Sequence, residues 1–158
     1  MKRLWFKSYL EVISNSINSN LFRSFFVEED GVERDIFNDG ELSCAYYVSS
    51  ILLLFGQQEK PHATVSSTIK DIVNHGWKEV DDKSKILSGD VIIWEAIEFD
   101  EEPGILHPHI GFYVGDNKAV SINYKLGFPQ EHSVMSDNRK IEIVYRGQEQ
   151  FAKLPQPS

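Results

Sequence analysis

The sequence predicts an α+β fold, with helices in the first half of the chain and an antiparallel sheet of about five strands in the second. Apolar residues recur at helical spacing in segments 3–19 and 64–75, and an almost unbroken apolar run fills segment 44–55. After residue 90, short β-rich runs alternate with turn residues, which is typical of strands. Helices followed by strands in this order indicate the α+β class.

Segment 44–55 is the most distinctive of the three predicted helices. Its twelve residues are nearly all apolar, and a run of that length is long for a strand. Ser43 stands directly before it as an N-cap, and Gly56 directly after it as a stop signal. We therefore expect a buried central helix that begins at Cys44.

The segments on either side of this helix are less uniform. Segment 3–19 is amphipathic, and segment 64–75 carries its apolar residues on one face. Segment 20–43 contains turn signals at 28–31 and 38–40 and is expected to be irregular.

The predicted sheet depends on four short runs and one hairpin. The three residues 115–117, Gly-Asp-Asn, form a turn signal between two of the runs and predict the hairpin. The acidic stretch 95–102 is expected to be a solvated insertion between two strands. The predicted strands are 90–95, 109–114, 118–123 and 141–145.

Length and composition favour one globular domain, residues 1–150, followed by a loose tail, residues 151–158. The net charge of −8 and the absence of a dense Lys/Arg cluster argue against nucleic-acid binding. No apolar run approaches the ~18 residues of a membrane span. Lys7 and Glu11 interrupt any secretory signal, so the chain is expected to be cytoplasmic or exported without a cleaved signal peptide.

Cys44 is the candidate nucleophile and the single cysteine of the chain. A cysteine in the first turn of a helix lies at the positive end of the helix dipole, where free N–H groups favour a thiolate. This position predicts a lowered thiol pKa, and the same N–H groups could hold an oxyanion. A buried, inert cysteine is the alternative interpretation.

His109 is the candidate base, because it opens a predicted hairpin strand. If the hairpin turns about Gly115, Ser121 lies opposite His109, and Asn123 lies two residues further on the same face. Either side chain could orient the imidazole through its second nitrogen. His132 is a further choice for this role.

Three blocks of the sequence resemble segments of the NlpC/P60 cysteine peptidases. Residues 43–48 (Ser-Cys-Ala-Tyr-Tyr-Val) resemble the Asp-Cys-Ser-Gly-Phe-Val segment that opens the catalytic helix of that family. Residues 87–94 resemble its Pro-Gly-Asp-Leu-Val-Phe-Trp strand, and residues 109–120 resemble its His-Val-Gly-Ile-Tyr-Leu-Gly hairpin. The blocks occur in the family's order and together cover about residues 40–125.

The resemblance implies a papain-like α+β fold with Cys44 as nucleophile and His109 as base. The family's third residue falls on Ser121, with Asn123 an equal candidate. Papain-like enzymes also carry a polar donor six residues before the nucleophile, which here is Asn38. Asn38 and the backbone N–H of Cys44 would then hold the oxyanion.

The implied activity is hydrolysis of a peptide amide by a thiol peptidase or amidase that needs no cofactor, most readily in cell-wall peptidoglycan. Two departures weaken the assignment of peptidoglycan: Ser43 and Ala45 replace the family's Asp and Ser, and no Tyr-x-x-Gly-Gly stretch precedes Cys44. A catalytically weak or inactive peptide-binding domain is the main alternative. A metal site built on His107 and His109, two residues apart on one strand, is a further one.

Overall fold

The computed structural model describes residues 1–135 and 139–147. The predicted α+β class is confirmed. The helices are α1 (Trp5–Asn15), α2 (Cys44–Leu54) and α3 (Val65–Asn74), and a single 3-10 turn spans Lys83–Lys85. The strands are β1 (Phe26–Glu29), β2 (Val32–Asp35), β3 (Lys78–Glu79), β4 (Val91–Phe99), β5 (Glu102–Gly115), β6 (Lys118–Asn123), β7 (Phe128–Ser133) and β8 (Ile141–Arg146). The predicted tail, 151–158, lies outside the described residues.

The strands form one large and one small sheet. Six of them pair in the order β3-β8-β4-β5-β6-β7, and every pair is antiparallel. Strands β1 and β2 form a separate hairpin. Its two-residue turn, Asp30-Gly31, has positive φ at both positions, as a tight hairpin turn requires. No helix in the described ranges, 1–135 and 139–147, is long and apolar enough to cross a membrane.

Helix α2 lies at the centre of the core, as predicted. Val48, Ile51 and Leu52 are completely buried in the same cluster as Ile110 and Phe112 of β5. Such burial stabilises by roughly 1.5–3 kcal/mol for each large side chain. Packing on the middle of the sheet therefore fixes the position of α2 relative to β5.

Two expectations about the irregular regions were wrong. Segment 20–43 contains the β1–β2 hairpin, and segment 95–102 is not an insertion but the end of β4, a turn and the start of β5. Strand β7 was also not predicted. Most of its residues are polar, and it contains Pro129, which the sheet tolerates because β7 pairs with β6 alone and forms an edge.

The register of the β5–β6 hairpin differs from the predicted one by two residues. Ser121 pairs with Gly111 rather than with His109. The tight turn lies at Asp116-Asn117 rather than at Gly115, which moves the pairing by three residues, and an irregularity between Tyr113 and Gly115 moves it back by one. A shift of two residues leaves Ser121 on the predicted face, because side chains alternate with a period of two.

Candidate active site

A cavity of about 640 Å³ opens between the beginning of α2 and the strands β5 to β7. This volume lies within the usual range of small-molecule sites. Five polar side chains that line it come from five separate parts of the chain: Cys44, His109, Ser121, His132 and Arg139. The predicted nucleophile and the predicted base thus face one cavity.

Cys44 is the first residue of α2, as predicted, but its thiol is not activated in the way that the sequence suggested. Burial raises its pKa. The backbone N–H groups of Ile110, Ala45 and Cys44 itself and the charge of Arg139 act in the opposite direction, and their combined effect is smaller. The prediction of a lowered pKa was wrong, because the helix end lies inside the protein, where desolvation of the thiolate outweighs the N–H groups.

Ser43 is the N-cap residue by position only. Its side chain makes no capping hydrogen bond to α2. The Ser43 hydroxyl donates instead to the carbonyl oxygen of Gly40, at 2.9 Å, and is fully buried. The first N–H groups of α2 are therefore not occupied by this hydroxyl, and they remain directed toward the cavity end of the helix.

His109 lies on β5, with its ring 5.4 Å from the ring of Trp94. Its Nε2 atom is 2.9 Å from the hydroxyl oxygen of Ser121. The pKa of His109 is lowered to about 3, mainly by burial and in smaller part by the charge of Arg139 and by the nearby ring of His132. The imidazole is therefore neutral at physiological pH, which is the form that a general base requires.

A chain of three hydrogen bonds sets the tautomer of His109. His132 Nδ1 lies 2.8 Å from the carbonyl oxygen of Ser133, and His132 Nε2 lies 2.6 Å from the hydroxyl oxygen of Ser121. Since a carbonyl oxygen only accepts, Nδ1 of His132 carries the proton, and Nε2 accepts from Ser121. The Ser121 oxygen then accepts from Nε2–H of His109, so the basic lone pair of His109 is on Nδ1.

The structure separates the remaining candidates. Ser121 contacts His109 directly, and His132 acts through Ser121. Asn123 lines the cavity, but its side-chain oxygen accepts from the backbone N–H groups of Lys125 and Leu126 in the turn after β6. Asn123 therefore caps a turn rather than orienting His109.

Asn38, the predicted oxyanion donor, is exposed in the loop before α2. It is not among the residues that line the cavity, and its amide donates to the carboxylate of Glu41. The described structure thus gives no support to an oxyanion role for Asn38. The backbone N–H groups of Cys44 and Ala45 are the donors closest to the sulfur on α2.

The thiol of Cys44 and the ring of His109 face the same cavity without bonding to each other. Among the described contacts, no hydrogen bond joins them. The backbone N–H of Ile110, the residue after His109, lies close to the sulfur. The two side chains therefore line one cavity as a neutral thiol and a neutral imidazole.

Arg139 was not predicted from the sequence. This residue precedes β8, is 6% exposed, and lines the cavity. Its Nη1 atom donates to the carbonyl oxygens of His107, at 3.0 Å, and Glu95, at 3.4 Å. No spacing in the sequence connects Arg139 with Cys44 or His109, so only the pairing of β8 with β4 could reveal it.

A stack of aromatic rings also lines the cavity and was not predicted. Phe99 stacks on His107 at 4.3 Å on one side and on Tyr124 at 4.7 Å on the other. Nε2 of His107 is 2.8 Å from a carboxylate oxygen of Glu102, but the angles are not those of a hydrogen bond. Across residues 1–135 and 139–147, no three His, Cys, Asp or Glu side chains are grouped as a metal site.

No model of a known protein family matches the chain, and no curated protein matches it either. The similarity to NlpC/P60 peptidases therefore depends on the three sequence blocks alone.

His109 is expected to make the protein less stable as the pH falls below its ordinary pKa of 6.5. Between that value and about 3 the unfolded chain binds a proton that the folded protein does not, so stability is fully present above 6.5 and is lost toward 3. Between about pH 7.5 and about pH 5, the unfolding free energy of the native protein should fall by up to about 2 kcal/mol more than that of His109→Gln. Urea unfolding at both pH values measures the unfolding free energy of each protein. An equal decrease in the native protein and in His109→Gln would contradict the prediction.

The hydrogen-bond chain predicts defined tautomers for two histidines. At neutral pH, ¹⁵N NMR should show His109 protonated on Nε2 and His132 protonated on Nδ1. Ser121→Ala removes the acceptor for Nε2–H, so the signal of His109 should become a mixture of tautomers. Ser66→Ala, on the exposed side of α3, is the matched control and should leave the tautomers unchanged. A proton on Nδ1 of His109 in the native protein would refute this assignment of donors and acceptors in the hydrogen bonds.

Proposed function

We propose that this protein is a cysteine-nucleophile amidase or peptidase with a papain-like site of the NlpC/P60 kind. One observation carries the proposal. Cys44, the only cysteine, opens a buried helix and shares a cavity with His109, whose Nε2 atom is held by the pair of Ser121 and His132. A nucleophile, a base and groups that orient the base are the parts that thiol-dependent acyl transfer requires.

The proposed reaction begins from the neutral pair. Nδ1 of His109 takes the proton of the Cys44 thiol while the sulfur attacks the amide carbonyl carbon. Negative charge develops on the carbonyl oxygen, where the N–H groups at the beginning of α2 can donate to it. His109 then gives its proton to the leaving amine. A water molecule, deprotonated by the same nitrogen, hydrolyses the thioester and restores the thiol.

The low pKa of His109 is compatible with this sequence of steps. An imidazolium is unfavourable in the empty cavity because burial and Arg139 oppose a second positive charge. Once the sulfur attacks, the oxyanion brings a compensating negative charge into the same space. The hydroxyl of Ser121, held by His132, keeps the ring in place during both proton transfers.

The substrate that the similarity favours is a peptide amide of the cell-wall stem or cross-link. The three sequence blocks support it, and the cavity is large enough for a few residues of an extended peptide. The changes at Ser43 and Ala45 affect the flanks of the nucleophile and leave the reacting atoms in place.

The decisive experiment compares the native protein with Cys44→Ala on purified peptidoglycan and on short peptide amides. Removing the nucleophile should lower the rate at least about a thousandfold, because the covalent step is lost. Ser66→Ala serves as a control outside the cavity and should keep the native rate. Cleavage that survives in Cys44→Ala would refute the proposal.

The alternative is a peptide-binding domain without turnover. The specific observations in its favour are the raised pKa of the Cys44 thiol and the missing hydrogen bond between Cys44 and His109. An activated acyl ester separates the two possibilities. An acylating enzyme should gain one acyl group on Cys44, detectable in the intact mass, and His109→Gln should slow this step. A protein that binds peptides without any acyl adduct would favour the alternative.

A further inference from the structure

Arg23 connects two loops that are far apart in the sequence. Its Nε and Nη2 atoms donate to the two carboxylate oxygens of Asp39, at 2.6 and 2.9 Å. Its Nη1 atom donates to the carbonyl oxygen of Leu126, at 2.9 Å. Asp39 belongs to the loop before α2, and Leu126 belongs to the turn between β6 and β7. The paired hydrogen bonds to Asp39 fix the guanidinium, which therefore holds the loop and the turn together.

The same loop and turn also touch through their backbones. Gly40 and Gly127 are both buried and have positive φ angles, +97° and +74°. A Cβ atom added to Gly40 would overlap the carbonyl oxygen of Gly127, and one added to Gly127 would overlap that of Asp39. Only glycine fits this contact, because it combines a left-handed backbone with the absence of a side chain. The loop and the turn thus meet with nothing between them.

Both segments continue directly into the walls of the cavity. Residues 41–42, which follow Gly40, line it on the side of Cys44. Residues 124–125, which shortly precede Gly127, line it on the side of β6. The two walls are therefore in contact immediately beyond the residues that line the cavity. An extended peptide that lies between these walls cannot pass through at this point.

Hydrogen bonds within each segment hold this contact in place. In the loop before α2, the carboxylate of Asp35 accepts from the backbone N–H groups of Phe37 and Asp39, each at 3.0 Å. In the turn after β6, the backbone N–H of Gly127 donates to the carbonyl oxygen of Asn123, at 2.7 Å. The loop and the turn each have a fixed shape of their own, so Arg23 joins two ordered segments.

We propose that this contact closes the candidate active site at one end, so that the site accepts one end of a peptide and cleaves an amide close to it. The inference rests on the proposed function, since it takes the occupant of the cavity to be the peptide that Cys44 cleaves. It adds the substrate class, which is short peptides and chain ends rather than internal amides of long chains. Arg23 is then a positioning residue that acts through Asp39 and Leu126.

Alkylation of Cys44 by peptide-borne iodoacetyl groups tests the closed end without turnover. One probe carries the group at the end of a flexible Gly-Ser peptide of about ten residues, and the other carries it on a short side chain in the middle of one of about twenty. The reaction is run at alkaline pH, where the thiolate forms, and is followed by intact mass. After correction for each probe's rate with glutathione, the end probe should react about tenfold faster or more.

Arg23→Gln should bring the two rates toward equality, because the walls of the cavity can then separate. This gain of reactivity toward the middle probe is a change that simple loss of structure would not produce. Free iodoacetamide should alkylate Arg23→Gln and the native protein at similar rates. Arg34→Gln is the matched control, since Arg34 forms an exposed ion pair with Glu29 on the β1–β2 hairpin, and it should keep the native preference.

The failures of the two proposals are distinguishable. Equal corrected rates for the end and middle probes on the native protein would overturn the closed end, and this comparison holds even if Arg23→Gln does not fold. Efficient cleavage of internal amides in a peptide extended at both ends would also overturn it, while retaining the proposed function. A preference for the end probe in a protein that never cleaves an amide would retain the closed end and refute the proposed function instead.

Discussion

The packing of α2 on β5 is the constraint on which the candidate site depends. Ile51 and Ile110 are completely buried in one apolar cluster, so neither element can move independently of the other. The polar beginning of the helix consequently emerges beside the strand that carries His109. Two rigid elements, rather than loops, set the position of the thiol relative to the imidazole, and sites built on such elements hold their geometry more accurately.

Burial of this junction also decides the charges in the cavity. It raises the pKa of Cys44 and lowers that of His109, so both groups rest in their neutral forms. The hydrogen bonds from His109 through Ser121 to His132 then become important, because a neutral imidazole has two tautomers and only one has its lone pair on Nδ1. Arg139 adds a positive charge that opposes the imidazolium.

Much of the fold was predictable because it is encoded locally. The apolar run that begins at Cys44 specifies a buried helix, and Gly115 with the two residues after it specifies a hairpin. Strands β1, β2, β3 and β7 were missed, since most of their residues are polar or exposed and they become strands through pairing with a neighbour. The two-residue shift in register comes from the position of the turn, at Asp116-Asn117, together with an irregularity near Gly115, and alternation of side chains reveals neither.

For the candidate site, the sequence by itself determined that Cys44 begins a helix, and that His109 and Ser121 lie on one face of neighbouring strands. These features follow from local periodicity and turn chemistry. Only the tertiary structure decided that His132 and Arg139 join them, because β7 and the segment before β8 reach the cavity through strand pairing over long sequence separations. It also decided the protonation of Cys44, since the penalty for burying a charge depends on everything that surrounds it and not on the residues next to it in the chain.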